Sequence, residues 1–257
     1  MKNIKSDLDY FRDEEKALLS YPKEDFISVI REVGFECDLC GKCCTQEFND
    51  HVFLLDDDVK HLRSLTPQSN PQSNPQSNPQ SNPQFNLQFE TDDSILIPSP
   101  YFDYCDQHGN FYVSGFCLKT KNDDVGSCHF LENNRCQIYE NRPLICQVYP
   151  YMIHREADES GNYDWRQISG LNEHGFYETE IKESDLNYIF GLTFQYEKKY
   201  IEQEQHFLKA LATHFEKNNL RFVPRVYDTQ IREYEKGKEV TVFVYFDGGF
   251  VERKAQK

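Results

Sequence analysis

The run Cys37-Asp38-Leu39-Cys40-Gly41-Lys42-Cys43-Cys44 sets four cysteines within eight residues. C-x2-C spacing can wrap one ion, because two intervening residues let the backbone turn back with its amides toward the thiolate sulfurs. Gly41 fits such a turn, since it tolerates positive φ. The run therefore reads as half of a metal site. The other half is expected from Cys128, Cys136 and Cys146, remote in sequence but gathered in a second short window. Cys43 and Cys44 are adjacent, so their side chains are expected to point in different directions rather than to serve one tetrahedral ion together.

A chain of 257 residues can bury a sizeable core and does not need disulfides to fold. Its nine cysteines are too sparse for a small secreted scaffold, and their odd number would strand one thiol in an oxidising compartment. The segment Met1 to Asp7 leads into charge with no apolar run, and no later stretch approaches the roughly 20 apolar residues of a membrane span. The expectation is a cytoplasmic protein without a membrane partner, whose cysteines serve as metal ligands. A formal charge of −15 disfavours nucleic acid, whose nonspecific binding relies on Lys and Arg neutralising phosphates. With 20 Phe and 16 Tyr, the chain has the aromatic content of a packed protein rather than a disordered one.

Taken in order, Asp7 to Ser20 carries Leu8, Phe11, Leu18 and Leu19 among charges and predicts an amphipathic helix ending near Tyr21-Pro22. A second helix is predicted from Pro22, with Phe26, Ile27, Ile30 and Val33 on one face and Gly34 as its stop. Val52 to Leu55 predicts a short strand, and Asp56-Asp57-Asp58 an acid-capped helix after it. The three aspartates lack the ligand spacing and turn glycine of a calcium loop. Pro67 to Gln84 holds four tandem Pro-Gln-Ser-Asn copies and the start of a fifth. Proline at every fourth position excludes helix and central strand, so this segment predicts a solvated loop.

Phe85, Leu87 and Phe89 alternate, followed by Ile95-Leu96-Ile97 and by Phe111-Tyr112-Val113 beside the turn Gln107 to Asn110, and together they predict a small antiparallel sheet. Cys105 and Cys117 lie there, outside both dense windows, and read as buried thiols. In the second window Glu132 to Arg135 predicts a tight turn joining Cys128 to Cys136, and Pro143 can open a helical turn carrying Cys146. A polar, irregular stretch holding Ile153, Trp165, Ile168 and Leu171 runs on to about Glu178. Ser184 to Asn218 predicts a long helix capped by Ser184, or two joined near Gly191. Arg225 to Val251, with Val240, Val242, Val244 and Phe246 on one face, predicts a terminal hairpin turning at Lys236-Gly237-Lys238.

The two-part pattern Cys37-x2-Cys40-Gly41-x-Cys43-Cys44 and Cys128-x-Phe130-Leu131-x4-Cys136-x-Ile138-Tyr139-x2-Arg142-Pro143-x2-Cys146-x2-Tyr149-Pro150 resembles the YkgJ-type cysteine-cluster family of zinc- or iron-chelating proteins, often labelled Fe-S-cluster-containing. The resemblance covers about Phe35 to Tyr151 and implies metal binding by its seven cysteines: Cys37, Cys40, Cys43, Cys44, Cys128, Cys136 and Cys146. It implies no settled reaction. The same domain is associated with flagellin lysine methylases, whose long remainder is not recognisable here.

Seven thiols exceed the four that one zinc ion or one [4Fe-4S] cluster takes. C-x2-C-x2-C is ferredoxin-like spacing with a remote fourth ligand, which favours Cys37, Cys40, Cys43 and one of the distal three. An iron-sulfur cluster with a redox or electron-transfer role and an unknown protein or redox partner leads. The alternatives are a structural zinc protein acting as an interaction module, and a metal-dependent modification enzyme, for which no cofactor fingerprint is visible. Lys42, Arg135 and Arg142 are placed to offset thiolate charge. His51, His129 and His154 lie near the windows and read as non-ligands.

The expected fold is α+β: a small cysteine-rich core with short antiparallel strands, flanking helices and a C-terminal β-hairpin. Its expected parts are N-terminal helices over 1–34, a metal-binding domain over 35–151 interrupted by the 67–84 loop, and a C-terminal helical segment and hairpin over 152–257.

Overall fold

The computed structural model describes residues 3–65, 95–152, 156–157, 163–164, 167–168 and 174–257. Helix α1 spans Ile4–Leu19, its start capped by Asn3, whose side chain accepts from the Lys5 N–H at 3.1 Å. Helix α2 spans Lys23–Val33 and buries Phe26, Ile27 and Ile30. It stops at Gly34, in the left-handed region at φ 50°, as the sequence leads one to expect. After the first cysteine window come strand β1, Phe53–Leu54, and helix α3, Asp56–Leu65, with the three aspartates in its first turn. The repeat loop, with Phe85, Leu87 and Phe89, lies outside the described residues.

Two small sheets follow. Strands β2 (Leu96–Pro98) and β5 (Phe116–Leu118) join β1 in an antiparallel sheet of order β1-β5-β2. Strands β3 (Tyr104–Cys105) and β4 (Phe111–Ser114) form a hairpin, and Asp106 organises its turn. The Asp106 carboxylate accepts from the N–H groups of His108 and Asn110, from Asn110 Nδ2 and from the Tyr112 hydroxyl, so its burial leaves no oxygen unsatisfied.

The chain ends in helix α5 (Glu183–Lys217), helix α6 (Pro224–Glu235) and the hairpin β12 (Val240–Phe246) and β13 (Gly249–Ala255). Three sequence expectations are corrected here. The long helix is continuous, because Gly191 points a bare Cα at open space and breaks no packing. Lys182, rather than Ser184, stands at its N-cap, and the Ser184 hydroxyl turns to Asp185 at 3.1 Å. The hairpin turns at Asp247-Gly248, both at positive φ, while Lys236-Gly237 closes α6. Residues from 225 onward enter a helix because Pro224 opens it, and Val226, Tyr227, Ile231 and Tyr234 recur at helical spacing against the core.

Strand β12 also pairs in parallel with β4, which the sequence did not suggest, giving a mixed sheet of order β13-β12-β4-β3. Alternation divides its two faces. Phe111, Val113, Val240, Val242 and Val244 face a core shared with α3 and α6, and Tyr112, Phe243 and Tyr245 face Phe207, Leu211 and Phe215 of α5. Helices α1 and α2 pack on the N-terminal half of α5 through Leu18, Phe26, Ile30 and Leu186. The fold is thus α+β. Among the described residues, no helix is long and apolar enough to cross a membrane.

Candidate metal centre

The first cysteine window hangs between two anchors. At its start, Glu36 and Phe176 exchange both backbone hydrogen bonds, at 2.8 and 2.9 Å, and Thr179 donates to the Gly34 carbonyl through its N–H and its hydroxyl. At its end, the Cys128 N–H donates to the Cys44 carbonyl at 2.6 Å, and Thr45 bridges Ser127. Between the anchors the chain turns tightly. Asp38 takes the Cys40 N–H at 3.0 Å, the Leu39 N–H points at Cys37 Sγ at 3.4 Å, and Gly41 at φ 77° opens a short 3-10 turn over Lys42–Cys44.

Gly41 also fixes the distance to the second window. A Cβ built on it would stand 3.0 Å from Leu131 Cδ1 and 3.4 Å from the Asn134 carbonyl. Glycine is needed here for its φ and for this close approach. The facing element is the hairpin of β6 (Leu131–Glu132) and β7 (Arg135–Cys136), turned by Asn133-Asn134 with both residues at positive φ, as the tight-turn reading requires. Leu131 N–H donates to the Cys128 carbonyl at 2.9 Å, and Leu131 pairs with Cys136, tying both cysteines to one hairpin. Helix α4, Leu144–Val148, follows Pro143 and carries Cys146, also as read from the sequence.

An aspartate links α4 to the rest of the fold. Asp58 in the first turn of α3 accepts from its own helix entrance at Leu55 N (3.1 Å) and from the Leu144 N–H at the start of α4 (2.9 Å). The sequence reading assigned Asp58 only a capping role and missed the second contact. Burial pushes its carboxyl up, and the two amides oppose that shift.

All nine cysteines are free thiols. Cys37 is exposed, Cys40, Cys43, Cys44, Cys136 and Cys146 are half-buried, and Cys128 is buried. Cys105 and Cys117 are buried in β3 and β5, and burial pushes each up to about 12. Cys43 and Cys44 lie together in the 3-10 turn, where each shifts the ionisation of the other. Its neighbour Cys44 and burial both raise Cys43, while Cys43 and Arg142 lower Cys44. Burial pushes Cys128 up to about 12 and lifts Cys136 and Cys146, and the charge of Cys44 adds to each. Cys44 thus acts on all three thiols of the second window. Cys43 feels Cys146 and Cys37, and Cys40 feels Cys37.

Arg142 faces this group, and its field favours the thiolate at Cys44, Cys136 and Cys146. Its guanidinium carbon lies 4.0 Å from the Tyr139 ring centroid, and its buried Nε has no hydrogen-bond partner among the described residues. Lys121 favours the Cys128 thiolate. His51 bonds Asp50 at 2.8 Å and Gln46 at 3.1 Å, while His129 is held below its usual value by burial and by Lys121 and Lys119. His154 lies outside the described residues. Sequence reasoning missed His174, buried among Phe35, Phe48 and Tyr149, because it falls beyond the cysteine windows.

A soft metal or metal-sulfide centre fits this donor set. Burial disfavours ionisation of Cys40, Cys43, Cys128, Cys136 and Cys146, Arg142 favours the thiolate at Cys44, and a bound cation offsets the electrostatic penalty of the buried thiolates. The donors are gathered rather than closed. Among the described residues, no three His, Cys, Asp or Glu side chains stand as a ready-made ligand set, so the thiols must draw in around the metal.

The family model described as "Putative zinc- or iron-chelating domain", named CxxCxxCC, matches residues 36–169. The match reaches past Tyr151, where the sequence resemblance ends, into the short ladders of β8 (Tyr151–Met152) with β11 (Gln167–Ile168) and of β9 (Glu156–Ala157) with β10 (Tyr163–Asp164). Comparison with curated proteins and with solved structures returns no match.

Proposed function

The chain belongs to the CxxCxxCC family of zinc- or iron-chelating domains, and from that premise we propose that its two cysteine windows form one bipartite centre holding an iron-sulfur cluster with an electron-transfer role. The observation that carries the reading is the meeting of the windows at Cys44. Its carbonyl takes the Cys128 N–H, and its thiol lies within the electrostatic reach of Cys128, Cys136 and Cys146. Cys37, Cys40, Cys43 and one thiol of the second window would hold the cluster, with Cys44 and the remaining two at hand for a second site. When bound, such a cluster supplies a one-electron couple whose potential its surroundings tune.

The chain's own residues do the rest. Phe130 and Ile138, packed in one cluster with Cys44, Cys128 and Cys136, keep water from the inner side. Arg142 offsets thiolate charge, and the Leu39 N–H supports Cys37. Cys37 marks the exposed edge, the natural exit for an electron. No reacting group for substrate chemistry is assigned.

Anaerobic purification with iron, zinc and acid-labile sulfide analysis tests the proposal. It predicts a brown protein with iron and sulfide in near-equal amount. A colourless protein with stoichiometric zinc and no sulfide replaces the reading with a structural zinc site.

A further inference from the structure

The exposed edge of the centre is not bare solvent. Beside Cys37, Leu39 is 47% exposed and Phe176 is 58% exposed. Glu36 pairs directly with Phe176, which sets both side chains on one face, and the Leu39 N–H points at Cys37 Sγ. Leu39 holds a left-handed backbone at φ 60°, a conformation a branched side chain adopts only at a cost. The rim is acidic: Glu36, Asp38 and Glu178 are all exposed, and Glu178 is fixed by its N–H bond to the Val33 carbonyl. Leu39 and Phe176 are thus exposed apolar side chains on the two segments that the Glu36–Phe176 bridge joins, and the same segments carry the sole exposed cysteine and three exposed carboxylates.

We propose that Leu39 and Phe176 form the apolar centre of a docking face for a basic protein, one presenting an apolar spot ringed by Lys and Arg. The assignment rests on the metal-centre reading, which makes this edge the place where a partner must come close. Charge complementarity names the occupant: an acidic rim on a chain of charge −15 repels acidic surfaces and attracts basic ones. A patch this small fits a weak, fast encounter, in which rim charge sets the on-rate and the apolar pair sets the register.

The test uses the metal-loaded full chain titrated with a basic c-type cytochrome, whose lysine-ringed haem edge serves as the probe, with binding followed by NMR. Affinity is expected to fall at least about tenfold between about 20 and about 150 mM salt. Phe176→Ser and Glu36→Lys should each weaken binding about five- to tenfold at low salt. Glu252→Lys, at an exposed site on the edge strand β13, should leave it within about twofold. No binding at low salt overturns the proposal, as does equal weakening by Glu36→Lys and Glu252→Lys with no effect of Phe176→Ser. Metal assayed on the same samples separates the two claims. A wild-type chain that holds its metal but does not bind sinks the docking face alone, and absence of metal in the wild-type chain sinks the reading beneath it.

Discussion

The backbone N–H of Cys128 donates to the carbonyl of Cys44 at 2.6 Å, so two cysteine windows separated by more than eighty residues meet through the main chain. A backbone contact survives side-chain replacement, which lets ligand loss be separated from misfolding. Cys40→Ser, which removes an assigned ligand and leaves that backbone bond in place, should keep the fold and lower bound metal or its resistance to a chelator. Cys105→Ser should retain full metal while losing about 1–3 kcal/mol of stability, because it puts a hydroxyl into a fully buried site. Metal analysis and denaturant melts of both variants check this. Equal metal loss in the two would contradict the assignment.

Asp58 reaches from α3 to the helix that carries Cys146. Asp58→Ala removes the acceptor for two amides, at Leu55 and Leu144, and should cost about 1–3 kcal/mol and hasten metal loss to a chelator. Asp57→Ala next to it breaks only a surface pair with Lys199 and should cost under about 1 kcal/mol with no change in metal retention.

The Tyr101 hydroxyl donates to Asp50 at 2.6 Å, and that bond, aided by His51, holds the Asp50 carboxyl below its ordinary 3.8. A depressed folded-state value stabilises the protein above the unfolded value, and the stabilisation is lost as pH falls through the folded value. The group is largely exposed, so the effect is under about 1 kcal/mol. Urea titrations should find Tyr101→Phe less stable than wild type at pH 7, with the gap closing as pH drops below about 4. A gap that is constant or widens on acidification would refute this.

Glycines at two places should respond oppositely. At Gly34 a Cβ would lie 2.3 Å from the Thr179 carbonyl oxygen and 2.7 Å from its nitrogen, on a left-handed backbone. Gly34→Ala should therefore cost more than about 1 kcal/mol and loosen the strap carrying Phe176. Gly191→Ala meets only open space inside a helix and should add about 0.5–1 kcal/mol. Thermal melts rank the three proteins, and a stabilised Gly34→Ala would overturn the strap.

What the sequence revealed follows from how locally each feature is determined. The Gly34 stop, the Asn133-Asn134 turn and the Pro143 entry to the Cys146 helix were all legible, because one or two residues decide each. Helix α6 was misread as a strand, since Arg225 to Tyr234 supports either period until its packing against Phe111 and Val242 selects one. The parallel contact of β12 with β4 and the strap through Phe176 depend on partners more than a hundred residues away, and no local pattern announces them. The two cysteine windows were named from spacing. The backbone bond between Cys44 and Cys128, the second role of Asp58 and the stacking of Arg142 on Tyr139 needed three dimensions.

The central claim is that the two windows make one centre, and the full-length chain carrying Cys128→Ser, Cys136→Ser and Cys146→Ser together tests it most directly. Reconstituted anaerobically beside wild type, with circular dichroism confirming the fold, it should retain no metal that survives a chelator. If it keeps the wild-type metal stoichiometry, Cys37 to Cys44 suffice on their own and the bipartite centre is wrong.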